Sequence, residues 1–399
     1  MLNLQDTQLA LIHIPIELYT LFLEPILQLL LPNRQNDSTV KANGTTNGTY
    51  SRPRRSWAYV HPFVNISITS IECSIACSRT LAQELFVPAI ESLDAASREK
   101  ISITKDNYIV MQVDGEGLDA GQRVLELTSP LAMAGISIFF ITTYFSDYIL
   151  VPHRCRGQVI HALEERGFAF ETNADAYVNP SSHVRNASTN SSLDSLGPPS
   201  TPPPATISEL QTRTFATLNR HNIQPTVDAD IRLIQFSARK DSGSSSTLAT
   251  TGGSWSASGA TEDRLHLGLV RCLISRPRFL SITLTDSEPA SLLLEEHLLC
   301  NFDRPAPNRM NGGAVMESVL LGNREDVLVP IVLDLRTMPT ESTGIVCGVA
   351  GRLVGRTADA IQDSVEMSYL STAKAGTVMV SETDLERALE ALKGPENQD

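Results

Sequence analysis

A β-hairpin followed by a helix is written four times along this chain, and that repetition limits the fold more than any single motif does. The clearest copy opens at Ile136–Val151, "ISIFFITTYFSDYILV". A membrane-spanning helix needs about 20 apolar residues and poorly tolerates an ionised group near its centre, so Asp147 argues for another structure. The runs "ISIFFITTY" and "YILV" are β-branched and aromatic, and "FSD" between them holds turn formers, which predicts a hairpin. "CRGQVIHALEERG" (155–167) then places Val159, Ile160 and Leu163 on one helical face and stops at Gly167.

Upstream of this hairpin, "NYIVMQV" (107–113) has strand character. "DGEGLDAGQRVLELTSPLAMAG" (114–135) carries Val124, Leu127, Leu131 and Ala134 at helical spacing, and "FAFE" (168–171) follows the second helix. The order strand, helix, strand, strand, helix, strand is the ferredoxin-like βαββαβ unit. It recurs near the C-terminus as "VLVPIVLDL" (327–335), "TGIVCGVAGRLVG" (343–355), the hairpin of "VEMSYLST" and "GTVMV", and "ETDLERALEALKG" (382–394). Two weaker copies complete the set. The first has strand and helix at 9–31, paired strands within 63–78 and a helix at 80–93. The other has "RTFATL", a helical candidate at 225–237, a hairpin at 265–285 turning at "SRPR", and a helix "EPASLLLEEHLL" (288–299).

The fold class expected is therefore α+β, four units in two halves. Unit one spans 1–100 with a disordered insert at 33–56, and unit two spans 101–173. A disordered linker at 174–206 leads to unit three, 207–302, with an insert at 240–262, and unit four covers 315–395. The inserts and linker are rich in Ser, Asn, Thr, Gly and Pro and bury too little apolar surface to offset their ordering entropy.

A net charge of −13 opposes nucleic-acid binding, which needs a basic surface; the densest basic cluster is "RPRR" at 52–55. The six cysteines form no CxxC pair, as expected in a reducing compartment, and no histidine stands at metal-ligand spacing from them. The apolar N-terminal stretch 9–32 contains His13, Glu17 and Glu24, with prolines at 15 and 25 and no basic region before it, so it reads as strand and helix. The expected location is cytoplasmic, without membrane contact. "DGEGLDAG" lacks the spacing of either phosphate-binding glycine motif. No nucleophile elbow appears either, so the chain is expected to be non-catalytic and to need no cofactor or metal.

"GISIFFITTYFSDYILVP" with the helix "SPLAMAG", and "TGIVCGVAGRLVG…YLSTAKAGTVMV" further on, resemble the second and fourth ACT domains of the CASTOR-type proteins. These are cytosolic arginine sensors that act upstream of the TOR kinase through the GATOR complex. The resemblance covers nearly all of the folded chain and implies four ACT-like units. It places an amino-acid ligand between units two and four. The ligand-binding residues it implies are Ser137 and Ile138, then Thr343, Gly344, Ile345 and Val346 at a helix head, and the turn Thr372, Ala373, Lys374, Ala375 and Gly376. It also implies a partner-binding tip at Tyr144, Phe145 and Asp147, facing a GATOR-type protein, and leaves room for a homodimer.

The chain departs from that family at Gly376, where the sensors carry an aspartate that pairs with arginine; Lys374 adds a like charge. Burying a guanidinium without a counter-charge costs several kcal/mol, enough to remove micromolar affinity. A neutral or acidic amino acid is expected instead of arginine. The alternative is a scaffold or regulatory subunit of the same fold with a ligand-free pocket. An enzyme is disfavoured, because no stretch remains for a separate catalytic domain.

Overall fold

The computed structural model describes residues 2–31, 61–114, 120–170, 206–239, 257–305, 316–339, 342–354 and 365–393. The insert expected at 33–56, most of the linker at 174–206 and the glycine-rich loop at 115–119 lie outside the described residues. The first segment runs β1 (Leu2–Pro15), α1 (Leu23–Leu30), β2 (Phe63–Ile68) and β3 (Glu72–Ser78). Helical turns follow at α2 (Arg79–Leu81), α3 (Val87–Glu91) and α4 (Ala95–Arg98), and β4 (Ser102–Ile103) pairs back onto β1. In the second segment come β5 (Tyr108–Asp114), α5 (Ala120–Met133), β6 (Phe139–Thr142), β7 (Ser146–Pro152) and α6 (Arg156–Glu164). This is the expected hairpin, and no helix crosses 136–151. The strand expected at 168–171 shrinks to a single bridge between Phe170 and Leu2.

The third segment departs most from expectation. "RTFATL" belongs to α7 (Ile207–Arg220), and the helix expected at 225–237 is two strands, β8 (Pro225–Val227) and β9 (Leu233–Ala238). Residues 265–274 lie in α8 (Ala257–Ile274), which also replaces the end of the expected insert at 240–262. The turn at "SRPR" leads into β10 (Leu280–Thr285). "SLLLE" is β11 (Ser291–Glu295), not the start of a helix, and is buried at every position. A continuous apolar run of this length has no periodicity to separate strand from helix. A ribbon of β12 (Asp303–Pro305) and β13 (Met316–Ser318) and the short β14 (Leu320–Leu321) follow. The fourth segment is as expected: β15 (Leu328–Asp334), α9 (Ile345–Leu353), β16 (Met367–Ser371), β17 (Ala375–Ser381) and α10 (Leu385–Lys393).

Although α7 and β8 precede β9 in sequence, they pack on the fourth segment. β8 pairs with β15, and Thr214 on α7 donates its hydroxyl to the Gly344 carbonyl at 3.3 Å. A Cβ on Gly348 would come within 2.7 Å of Thr214, and one on Gly351 within 1.9 Å of Gln211. Two glycines inside α9 cost it about 1 kcal/mol each in propensity, and this close approach explains them.

The strands form one ladder, β9-β11-β10-β2-β3-β1-β5-β7-β6-β16-β17-β15, and a pairing of Leu328 with Leu233 brings β15 back to β9. The result is a barrel-like ring of 12 strands. Successive strand residues face opposite sides. Ile109 and Met111 join a core that also holds α5 and α9 residues, whereas Tyr108 and Val110 join a second core with Tyr148 and Leu150. A third core gathers α1 and α8 against β2, β3 and β10. No described helix is long and apolar enough to cross a membrane.

Burial pushes the Cys77 thiol up to about 12 and the Cys272 thiol up to about 11, and it raises Cys73 and Cys347 as well. Cys300 is exposed and Cys155 half-buried. With a thiol reagent at pH 8, Cys300 should react first and Cys155 more slowly, the rest only on unfolding. Rapid reaction of all six would contradict this packing.

Candidate functional site

Two inter-segment seams in the ring differ sharply. β10 and β2 pair over six residues, Leu280–Thr285 against Phe63–Ile68. β6 and β16 share one ladder pair, Ile141 with Leu370. Side chains substitute for further rungs: Ser371 Oγ accepts from Phe140 N at 2.9 Å, and Thr142 Oγ1 accepts from Tyr369 N at 3.1 Å. Beyond Phe140 and Ser371 the strands part, and a cavity of about 60 Å³ opens between α5, the entry to β6, the head of α9 and the β16–β17 turn.

The head of α9 supplies donors. Gly344 is its N-cap in the left-handed conformation (φ 80°), and it offers no side chain to cap the first turn. A Cβ at Gly344 would also meet Leu210 at 2.8 Å. The first N–H groups of a helix have no intrahelical acceptor and carry the positive end of its dipole, so this end suits a carboxylate. Ile138, Phe139, Leu335 and Met338 supply apolar wall. At the far end, Tyr369 stands over Gly376: a Cβ there would lie 2.4 Å from the tyrosine hydroxyl oxygen. Glycine is needed at 376 because Tyr369 fills the space a side chain would take. Burial also raises the Tyr369 phenol, which stays neutral.

Of the residues expected at the site, the structure brings Ile138, Gly344, Ile345, Val346, Thr372, Ala373, Ala375 and Gly376 to the cavity wall. Ser137 is buried beside it but is not part of the lining, and it precedes β6 instead of lying in it. Thr343 is exposed and outside the lining. Lys374 is outside it too; its N–H donates to Glu72 Oε1 at 2.6 Å and its carbonyl accepts from Leu335 N. Sequence reasoning missed Thr128, Ala132, Met338 and Tyr369, of which the first two lie on the quoted helix "LTSPLAMA".

The partner-facing tip needs correction. Tyr144 is half-buried and Phe145 exposed, and their rings meet edge to face. Asp147, however, is wholly buried in β7 and ion-paired with Arg123 of α5. Burial pushes its carboxyl up from the usual range, and the Arg123 guanidinium opposes that shift. Every residue of β7 is buried, so the face that a lone hairpin would show to water is covered by the opposite side of the ring.

Residues 103–165 match the family model of the ACT domain, and they run from β4 through α6. The chain contains an ACT domain. The ACT match thus holds Ile138, Phe139, Thr128 and Ala132 of the cavity and stops before the fourth segment. Among solved structures, protein Atu0741 from Agobacterium tumefaciens is similar at 16% identity and a TM-score of 0.24, over 43% of this chain and 90% of that one. Aspartate kinase from Synechocystis is similar at 10% identity and a TM-score of 0.30, over 98% of this chain. The chain spans 54% of that kinase's length. No curated protein matches the chain.

Proposed function

We propose that the chain is a non-catalytic amino-acid-binding regulatory protein of four tandem ACT-like units, with its ligand between the second and fourth. The observation that carries this reading is the parted seam: a single ladder pair where the equivalent seam has six, with a cavity opening beside an uncapped helix head. Backbone groups at strand edges and helix heads are the acceptors and donors that an amino acid's two charged ends require. Arginine suits the site poorly, because Tyr369 occupies the space a carboxylate on residue 376 would need. The finer CASTOR-type reading, with occupancy reported to a GATOR-type partner from the cytoplasm, retains Tyr144 and Phe145 as its surface and loses Asp147.

The test is a thermal-shift screen with each common L-amino acid, since a ligand that binds only the folded chain raises its melting temperature. Ile138→Trp should fill the cavity and abolish the shift produced by the active amino acid while leaving the unliganded transition nearly unchanged. A full shift in that variant would move the site elsewhere. A second reading, a ligand-free scaffold, draws support from the modest cavity volume. It is the outcome if no amino acid shifts the wild-type protein.

A further inference from the structure

The four hairpin turns share an opening threonine: "TSIE" at 69–72, "TYFS" at 143–146, "TDSE" at 285–288 and "TAKA" at 372–375. In three of them the threonine N–H donates to the carbonyl three residues on: Thr69 to Glu72, Thr143 to Ser146 and Thr372 to Ala375, each at 2.9 Å. In the fourth, Thr285 Oγ1 accepts from Glu288 N at 3.1 Å. The turns of the first and third segments end in glutamate, and those of the second and fourth end in a small residue. The two kinds meet in pairs across the ring.

Glu72, wholly buried, accepts at Oε1 from the Thr372 hydroxyl and from Lys374 N, both at 2.6 Å. Its Oε2 lies 2.5 Å from His13 Nδ1. Beside it, Ser74 Oγ accepts from Ala373 N at 3.0 Å. Across the ring the same pattern recurs. Glu288 accepts from the Ser146 hydroxyl at 2.5 Å, from Tyr148 Oη at 3.0 Å and from Gln112 Nε2 at 3.0 Å. There Ser291 Oγ accepts from Tyr144 N at 2.9 Å. Each contact combines a glutamate that gathers donors with a serine that takes the amide following the turn threonine.

The two contacts differ in what they touch. Thr372 and Ala373 are cavity wall; the turn held by Glu288 is not. From this geometry we infer that Glu72, with Ser74, is the positioning group for the cavity wall. It fixes the turn 372–374 from the first segment, so the site is built by three segments and not two. Glu288 is its counterpart at the opposite contact and serves packing alone. The inference rests on the proposed ligand site for its functional meaning, but the positioning itself is readable without a ligand. The carboxylate does not act as a counter-charge for a ligand, because Glu72 is not part of the cavity lining and both its oxygens are already engaged by protein groups.

Hydrogen–deuterium exchange on the full chain tests it. Thr372→Val keeps the side-chain shape and removes one donor to Glu72, so the amides of 373–375 should exchange about tenfold faster, the equivalent of one hydrogen bond to a charged acceptor. Glu72→Leu should exceed that effect, and Glu72→Gln, which keeps an acceptor oxygen, should restore most of the protection. Glu288→Leu should loosen 143–148 and leave 373–375 as in wild type. With whichever common L-amino acid protects the wild-type wall, Thr372→Val should weaken affinity about tenfold, again by one such bond. Equal exchange at 373–375 in wild type, Thr372→Val and Glu72→Leu would overturn the inference. So would equal loosening of that turn by Glu288→Leu. If no amino acid protects the wild-type wall, the ligand reading fails, and the unliganded exchange rates still decide the positioning role.

Discussion

Gly376→Asp should lower the melting temperature by many degrees and should not create arginine binding. Any Cβ at 376 falls 2.4 Å from the Tyr369 hydroxyl oxygen and 3.3 Å from the ring carbon that carries it. Tyr369 is buried in the second and fourth segments' shared core, so it has little freedom to retreat. Overpacking of this kind typically costs about 1–3 kcal/mol. The ionised carboxylate adds a desolvation cost, with no cation among the described lining residues to offset it. Truncating the obstacle reverses the argument. In Gly376→Asp/Tyr369→Ala the new carboxylate has room, and a guanidinium would supply its missing partner. Calorimetry with arginine is the measurement: binding by the double variant and none by the single one is the expected pair of results. Arginine binding by the wild-type chain would contradict the whole account of the far wall.

That wall shows how far the sequence could be read. The absence of a carboxylate at 376 is plain in the sequence; the reason for it is not, because Tyr369 and Gly376 lie on paired strands and meet only once β16 and β17 are in register. The hairpin at 136–151, the helix over 120–133 and the fourth segment were legible because their residues are periodic and bounded by turn formers. The third segment was not. β11 is buried at every position, so its apolar run lacks alternation, and α7 docks on an element more than a hundred residues downstream. Glutamates 72 and 288 drew no attention in the sequence, although the shared T-x-x-E spacing was a signal that could have marked them.

Asp147 is the sharpest case, and its substitution is the second large effect expected. An aspartate after a turn sequence suggests an exposed tip, but helices α5 and α6 cover one face of β7 and the ring interior covers the other, and the carboxylate pairs with Arg123, whose side chain is only 13% exposed. Asp147→Ala should therefore destabilise the fold, not merely blunt a surface. Removing one partner of a buried pair typically costs about 3–5 kcal/mol, because the other charge stays behind. Asp147→Asn should cost less, since it keeps an oxygen for Arg123. The pH dependence separates the two effects. Burial holds the Asp147 carboxyl above its unfolded value, near 3.9 for a free aspartate. At pH values between the unfolded and the folded value, the native chain thus keeps a proton that the unfolded chain has released. That contribution to stability is full below about pH 3.9 and is lost as pH rises through the folded value. Asp147→Asn has no such loss, so its melting temperature should gain on the wild type between pH 4 and pH 7. A gap that moves in the opposite direction would show that the Arg123 ion pair outweighs burial at Asp147, and an alanine variant as stable as the parent would show that the pair contributes nothing to the fold.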